Sequence, residues 1–149
     1  MTQPRNQLVD ATQAGTFHCV NRCVRRSWLC GLDKYLGKSF EHRKSWVEAR
    51  ILELGQIFAC GVHAWAIMSN HLHIVVHMSP STANAWSPEE VAMRWTQLYP
   101  ARTVELCAQK IAAILENPEI VAEYRTRLTN LSWFMKSLSE PIARKANAE

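Results

Sequence analysis

The stretch CGVHAWAIMSNHLHIVVHM, from Cys60 to Met78, decides the fold, and its two apolar runs predict a β-hairpin. Alternate side chains of a strand project to the same side of a sheet, so His71 and His73 project together. Two further residues share that face: Val75 and His77. The opposite face carries an apolar row suited to a protein core: Leu72, Ile74, Val76 and Met78. The pattern predicts a strand with one buried face and one face bearing imidazoles.

The neighbouring imidazoles of His71 and His73 are candidate ligands of one divalent metal ion. Neutral imidazole is the commonest side-chain metal ligand, and two rings on one strand face can reach a single ion. The spacing alone fits equally well two half-exposed histidines that hydrogen-bond to loop carbonyls near a sheet end. His63, in the first strand of the hairpin, is expected to share a face with Trp65 and Ile67 and to have a structural role.

Length and composition indicate one globular domain. The chain has 149 residues, of which 48% are hydrophobic and 20% charged, and this excludes a disordered or fibrous protein. The net charge of +4 permits an anionic partner without requiring one. The N-terminus is polar and no apolar run approaches the length of a membrane span, so we expect a cytoplasmic protein without a signal peptide.

The cysteines predict thiols rather than disulfides. The sequence has an odd number of them, five, and no Cys-x-x-Cys pair: Cys19, Cys23, Cys30, Cys60 and Cys107. We expect reduced, mostly buried side chains, which agrees with a cytoplasmic location. A zinc site that joins Cys19 and Cys23 to the histidines is a less favoured alternative.

A basic cluster follows the first predicted strand, TFHCVNR at residues 16–22, which itself follows an N-terminal arm without periodicity. The cluster consists of Arg22, Arg25 and Arg26, with Trp28 beside it. Guanidinium groups bind phosphates through paired donors, and an indole ring can stack on a base. These four residues are candidate nucleic-acid contacts. Spacing alone favours the other interpretation, a solvated loop with Trp28 packed into the core.

Helical periodicity is found on both sides of the hairpin. Before it, residues 39–60 predict a helix with Ser39 as N-cap and Arg43 on the polar face. After a turn-rich linker at 79–86, helices are predicted at 87–99, 103–116, 118–128 and 130–148. The order β-α-β-β followed by helices predicts an α+β domain whose helices pack on one face of an antiparallel sheet.

Three blocks of the sequence resemble a known family: HAWAIMSNHLHIVV, the preceding FHCVNRCVRR, and the later LSWFMKSLSEPIARKAN. They are similar to single-tyrosine HUH transposases, and most similar to the REP-associated tyrosine transposase branch. His71-Leu72-His73 matches the histidine–apolar–histidine motif, and Asn70 before it also fits. Ser69 departs from the family, in which many members have proline. The resemblance runs from Phe17 to the last residue, except for a helical insert at 79–128.

The resemblance implies a ferredoxin-like fold and a reaction that cuts and joins single-stranded DNA with hairpin structure. In that family two histidines hold a divalent metal, Mg²⁺ or Mn²⁺, and these are His71 and His73 here. A tyrosine hydroxyl attacks the metal-polarised phosphate and forms a 5′-phosphotyrosine, which conserves the bond energy for rejoining. The resemblance further implies that Arg22, Arg25, Arg26 and Trp28 hold DNA, and that the protein can be a homodimer.

The nucleophilic tyrosine has no clear match in this sequence. The family places it on a helix beyond the segment that ends this chain, so we expect it beyond Glu149 and regard the chain as an N-terminal portion. Of the three tyrosines, Tyr35, Tyr99 and Tyr124, only Tyr124 lies inside a predicted helix, which makes it a weak candidate. Two alternatives therefore stand beside the strand transferase: a non-catalytic DNA-binding remnant of the same fold, and a small metal hydrolase unrelated to nucleic acid.

Overall fold

The structure, a computed structural model, describes residues 3–23 and 28–149, with the side chains of residues 5 and 6 left out. The elements in this part of the chain are, in order, α1 (Arg5–Leu8), β1 (Gly15–Arg22), β2 (Leu32–Asp33), β3 (Lys38–Ser39), α2 (Arg43–Ile57), β4 (Cys60–Ile67), β5 (His71–Met78), α3 (Pro80–Asn84), α4 (Pro88–Leu98), α5 (Val104–Leu115), α6 (Pro118–Arg127) and α7 (Leu131–Asn147). They form an α+β fold. No helix in the described chain is both long enough and apolar enough to cross a bilayer.

The three long strands form an antiparallel sheet in the order β1-β5-β4. β4 and β5 are the predicted hairpin, with Ile67 opposite Leu72 beside the turn. β1 pairs along the other edge of β5, where Cys19 lies opposite Ile74. The strand that carries the two histidines is therefore central, and backbone hydrogen bonds hold it on both edges.

Burial alternates along β5 as the sequence predicts. Its buried residues are Leu72, Ile74, Val76 and Met78, and the residues between them are half-buried. Ile74 and Val76 have no exposed surface, and burying such a side chain contributes about 1.5–3 kcal/mol. They share one core with buried side chains of α2, α4 and α7, among them Leu54, Trp95 and Phe134. The helices therefore cover this side of the sheet.

The helix before the hairpin begins later than predicted. Ser39 is not its N-cap, because Ser39 pairs with Leu32 in the small β2–β3 hairpin. The turn between them is fixed by Asp33, whose Oδ1 accepts backbone N–H bonds from two and three residues ahead, and by Gly37 with φ of 63°. α2 consequently starts only at Arg43.

The predicted position of Arg43 on the polar face is wrong. The side chain is only 7% exposed and lies with its guanidinium 4.1 Å from the centre of the Phe40 ring. It donates hydrogen bonds to the carbonyl oxygen of Trp28 at 2.8 Å and, through Nε, to the Glu149 carboxylate at 2.8 Å. A buried charge persists because its donors are used in this way. Helical periodicity cannot reveal a partner 106 positions away.

The segment after the hairpin, residues 79–128, forms the predicted helical insert. Side chains cap two of its helices: Ser87 and Thr103 each accept a hydrogen bond from the N–H three residues ahead, at 3.2 Å. The start of the segment, predicted as a linker, contains α3. Trp95 of this segment is part of the shared core, where its ring centre lies 4.0 Å from that of Tyr124 in the same segment and 5.7 Å from that of Trp133 in α7.

The last helix, α7, continues through Pro141 because other groups replace the hydrogen bond that proline cannot make. Pro141 has no N–H, so the carbonyl oxygen of Ser137 lacks its helical partner. Arg50 of α2 donates to that oxygen from Nε at 3.0 Å. One turn away, Asn21 donates from Nδ2 to Ser139 Oγ at 2.6 Å, which joins the end of β1 to α7.

Candidate metal centre and nucleic-acid face

The side of the sheet that faces away from the helices is called the outer face here. Residues directly opposite one another in an antiparallel pair lie on the same side of the sheet. The register between β1 and β5 therefore places the following residues on the outer face: Thr16, His18, Val20, Arg22, His71, His73, Val75 and His77. Of the six histidines, all of them described, only His42 lies elsewhere, at the start of α2. The outer face thus concentrates imidazole groups.

His71 and His73 project together, as predicted, and the spacing of their rings is compatible with two ligands of one ion. The ring centres are 4.9 Å apart and the ring planes are at 72°. Metal–nitrogen bonds of about 2.1 Å put two imidazoles at adjacent positions of one ion about 4.5–5.2 Å apart, centre to centre. Both side chains are half-buried, so the strand supports them while the nitrogens stay accessible. This donor pair fits a divalent metal.

Asn70 sets the orientation of the first imidazole. Its Oδ1 lies 2.7 Å from Nδ1 of His71. An amide oxygen only accepts, so Nδ1 of His71 carries the proton and Nε2 keeps its lone pair for a metal. The sequence pointed to Asn70 only through the family resemblance. The structure gives it a physical task, which is to fix the ring orientation.

His18, which sequence reasoning did not single out, contacts the second imidazole. Its Nε2 lies 2.9 Å from Nδ1 of His73, and the two rings meet edge to edge, with centres 5.1 Å apart and planes at 20°. The alternation along the first strand does place His18 on the same face as Arg22, and this was the only sequence feature that pointed to His18. What was missing was the pairing of β1 with β5, which puts His18 opposite Val75 and diagonal to His73.

The surroundings of His73 keep it uncharged. Partial desolvation is the main cause that lowers the pKa of His73 below its ordinary value of 6.5, and electrostatic interactions with His71, His18 and Arg22 lower it further. A neutral ring is the form that binds metal. The pKa shift therefore favours metal binding at neutral pH.

The predicted DNA contacts are only partly described. Arg22 is exposed on the outer face, opposite His71 in the sheet register. Trp28 is half-buried and lines a cavity of about 580 Å³ together with Arg22 and with Leu138 of α7. Arg25 and Arg26 lie outside the described residues. The structure thus brings one predicted arginine to the histidine pair, while Trp28 lies beside a cavity that reaches the helix side.

His63 does not share a face with Trp65 and Ile67, contrary to the sequence prediction. A β-bulge between Val62 and Ala64 inserts His63 as an extra residue in β4, and this breaks the alternation of sides. The His63 side chain is exposed, with its ring centre 6.3 Å from that of His77. His63 therefore belongs to the outer face at its far end. Thr16 fixes His77 there, with Oγ1 2.8 Å from Nδ1.

The structure separates Cys19 from the histidines. Cys19 lies opposite Ile74 on the buried side of the sheet, so the alternative zinc site with the histidines is wrong for Cys19. The prediction of mostly buried thiols holds for Cys19 and Cys30, whereas the other three cysteines are half-buried. Burial raises the pKa of Cys60 to about 12. Within the described residues, no group of three or more His, Cys, Asp and Glu side chains is placed to hold an ion.

None of the three tyrosine rings, all in the described chain, contacts an imidazole of the outer face. Tyr124 is half-buried and stacks on Trp95, on the helix side of the sheet. Tyr99 also contacts Trp95, with ring centres 5.1 Å apart. Tyr35 is 96% exposed in the turn between β2 and β3. The structure does not bring the weak candidate Tyr124 to the histidine pair.

The outer face thus combines a pair of histidines with ring centres 4.9 Å apart, two side chains that contact these imidazoles, and an exposed arginine. When the chain is compared with protein-family models, with curated proteins and with solved structures, nothing matches.

Proposed function

We propose that this chain is the metal- and DNA-binding part of a DNA strand transferase of the single-tyrosine HUH transposase type. The observation that carries the proposal is the arrangement of His71 and His73, with ring centres 4.9 Å apart on an open sheet face and Arg22 opposite. A finer description of the fold, a ferredoxin-like core with a helical insert, belongs to the same proposal. Its support is the antiparallel sheet with helices on one side.

The metal, Mg²⁺ or Mn²⁺, supplies Lewis-acid polarisation of the scissile phosphate when it is bound. His71 and His73 hold it through their outer nitrogens, with Asn70 fixing one ring. Arg22 neutralises phosphate charge beside the pair and orients the strand through paired N–H donors. The open face suits an extended single strand whose backbone lies across it. We assign the nucleophile to none of Tyr35, Tyr99 and Tyr124.

A second candidate function is a non-catalytic DNA-binding module of the same type, located like the first in the cytoplasm. The observation that favours it is the position of Tyr124, which packs against Trp95 on the helix side rather than beside the histidines. Both functions require the same metal and the same phosphate contacts. They differ only in whether a covalent protein–DNA adduct forms.

The experiment that tests the proposed function measures binding of the 149-residue chain to a fluorescent single strand with a hairpin. Anisotropy is recorded in Mn²⁺ and in EDTA. We expect Mn²⁺ to tighten binding about tenfold, a gain of about 1.4 kcal/mol, and we expect the variant H71A/H73A to lose this gain. H63A, an exposed histidine of the same face, is the matched control and should keep it. Equal affinity in Mn²⁺ and EDTA for the unmodified chain would contradict the proposal.

Two further readouts separate the candidate functions. Because none of the three tyrosines of this chain is assigned as the nucleophile, the adduct is sought with the full-length protein. An adduct of that protein with DNA that survives denaturing electrophoresis, forms only with Mn²⁺ and is absent in H71A/H73A favours the transferase. Binding by the same protein without an adduct favours the non-catalytic module. A salt series tests both against the metal hydrolase, since phosphate contacts make log Kd rise with log salt concentration. Loss of one phosphate contact in R22A should reduce that slope by about one.

A further inference from the structure

We infer that His18 is a positioning residue for the metal: it accepts a hydrogen bond from Nδ1–H of His73 and thereby leaves Nε2 of His73 free to bind the ion. This role depends on the proposed metal site and adds a residue that neither the motif nor the resemblance names. The contact on which it rests is the 2.9 Å distance between His18 Nε2 and His73 Nδ1.

Two proton arrangements satisfy this distance, and only one is compatible with a bound metal. If His18 donates, its Nε2 carries the proton, Nδ1 of His73 accepts, and Nε2 of His73 must then carry a proton of its own. If His73 donates from Nδ1, its Nε2 lone pair is free. A metal on the pair therefore selects the arrangement in which His73 donates to His18.

The first imidazole is fixed in the same tautomer by an independent group. Asn70 Oδ1 accepts from Nδ1 of His71 at 2.7 Å, which leaves Nε2 of His71 free. His18, on strand β1, and Asn70, in the turn before β5, thus each accept a hydrogen bond from Nδ1–H of one of the two rings. Both outer nitrogens become available together, as a shared ion requires.

His18 is held firmly enough to perform this role. Its ring is nearly coplanar with that of His73, with planes at 20° and centres 5.1 Å apart, which is the arrangement that aligns an N–H···N bond between the two ring edges. Its neighbour Cys19 is buried opposite Ile74, which anchors this part of β1 to the core. The backbone therefore holds His18 at a fixed height above the sheet.

His18 is a positioning residue rather than a third ligand. Its Nε2 points at a ring nitrogen of His73 at hydrogen-bond distance. In this arrangement the Nε2 lone pair of His18 accepts the Nδ1–H bond and Nδ1 of His18 carries the ring proton, so the neutral ring has no lone pair left for the ion, which binds Nε2 of His73. Partners that orient a ligating histidine typically change metal affinity by about 10–100-fold when they are removed.

The test titrates the chain with Zn²⁺ alone, a diamagnetic probe that imidazole binds more tightly than Mn²⁺. The affinity is read from the imidazole ¹⁵N resonances of His73. We expect H18A to weaken binding at this histidine about 10–100-fold. H18Q, whose side-chain oxygen can accept the same Nδ1–H bond, should stay within about threefold of the unmodified chain. Thermal unfolding of each variant confirms that it is folded.

The matched control lies on the same strand. T16V removes the hydroxyl that contacts His77 and should leave Zn²⁺ affinity at His73 unchanged. In the loaded protein, His73 should show a protonated Nδ1 and a metal-bound Nε2, and His18 no metal-bound nitrogen. Equal affinity in H18A and the unmodified chain, or a metal shift on His18, would overturn the role of His18 alone. Unchanged Zn²⁺ affinity at His73 in H71A would instead overturn the proposed metal site.

Discussion

The two faces of β5 share one backbone but differ in role: one face packs in the core, and the other carries the candidate metal ligands. On one face Leu72, Ile74 and Val76 are buried against the helices and contribute to stability through the area they remove from water. On the other face His71 and His73 are half-buried and are oriented by hydrogen bonds to Asn70 and to β1. Because successive side chains alternate, stability and chemistry are assigned to different residues only one position apart. Substitutions on the two faces should therefore have separable effects.

The largest expected effect is on the buried face. Ile74→Ala removes a side chain with no exposed surface and should lower the free energy of unfolding by about 2–5 kcal/mol. Urea denaturation measures this. Val75→Ala, the next residue on the outer face, is the matched control and should cost less than about 1 kcal/mol. Similar losses for the two variants would mean that the faces are not distinct in packing.

An intermediate effect is expected at the helix that covers the buried face. Asn130 caps α7, with Oδ1 accepting from the N–H groups of Ser132 at 2.9 Å and Trp133 at 3.1 Å. Asn130→Ala should cost about 1 kcal/mol in the free energy of unfolding, and Asn130→Asp should restore most of it. DNA affinity at constant Mn²⁺ should not change for folded protein. A loss of DNA affinity in both Asn130→Ala and Asn130→Asp would contradict the separation of the two faces, because it would show that α7 affects the outer face.

Removal of the histidine pair should change stability very little. His71→Ala and His73→Ala are expected to alter the free energy of unfolding by about 0.5 kcal/mol or less without metal. With excess Mn²⁺, only the unmodified chain should gain stability, since a ligand that binds the folded state alone raises the unfolding free energy. Thermal melts with and without Mn²⁺ measure both quantities. Stabilisation by Mn²⁺ that persists in both variants would place the ion elsewhere.

The smallest effect concerns the pKa of His73. Because burial and neighbouring charges lower it, the folded chain binds fewer protons than the unfolded chain, so stability falls as pH drops through about 6.5. Arg22→Ala removes one of the smaller causes and should move the pKa of His73 upward while leaving it below its ordinary value. An NMR titration of the imidazole C–H signals measures this. A downward shift in R22A would contradict the charge argument.

Local patterns predicted the two faces of β5 well, because burial follows a period of two that is visible in Leu72, Ile74 and Val76. The caps at Ser87 and Thr103 were predictable for a similar reason, since their partners are three residues away. These features all depend on residues close together in the chain.

The rest depended on contacts between distant residues. The pairing of His18 with His73 joins positions 55 apart and follows only from the strand register. The burial of Arg43 depends on Glu149, and the position of His63 depends on a bulge that no local sequence signal marked. Strand patterning specifies which residues share a face of one strand, but not which strand lies beside it.

The most direct test of the metal site is a crystal of the chain soaked in Mn²⁺ and measured for anomalous scattering. We predict one peak within about 2.1–2.3 Å of Nε2 of both His71 and His73, with Nδ1 of each ring still bonded to Asn70 and His18. Rings that face apart, or a peak only between His63 and His77, would contradict the account.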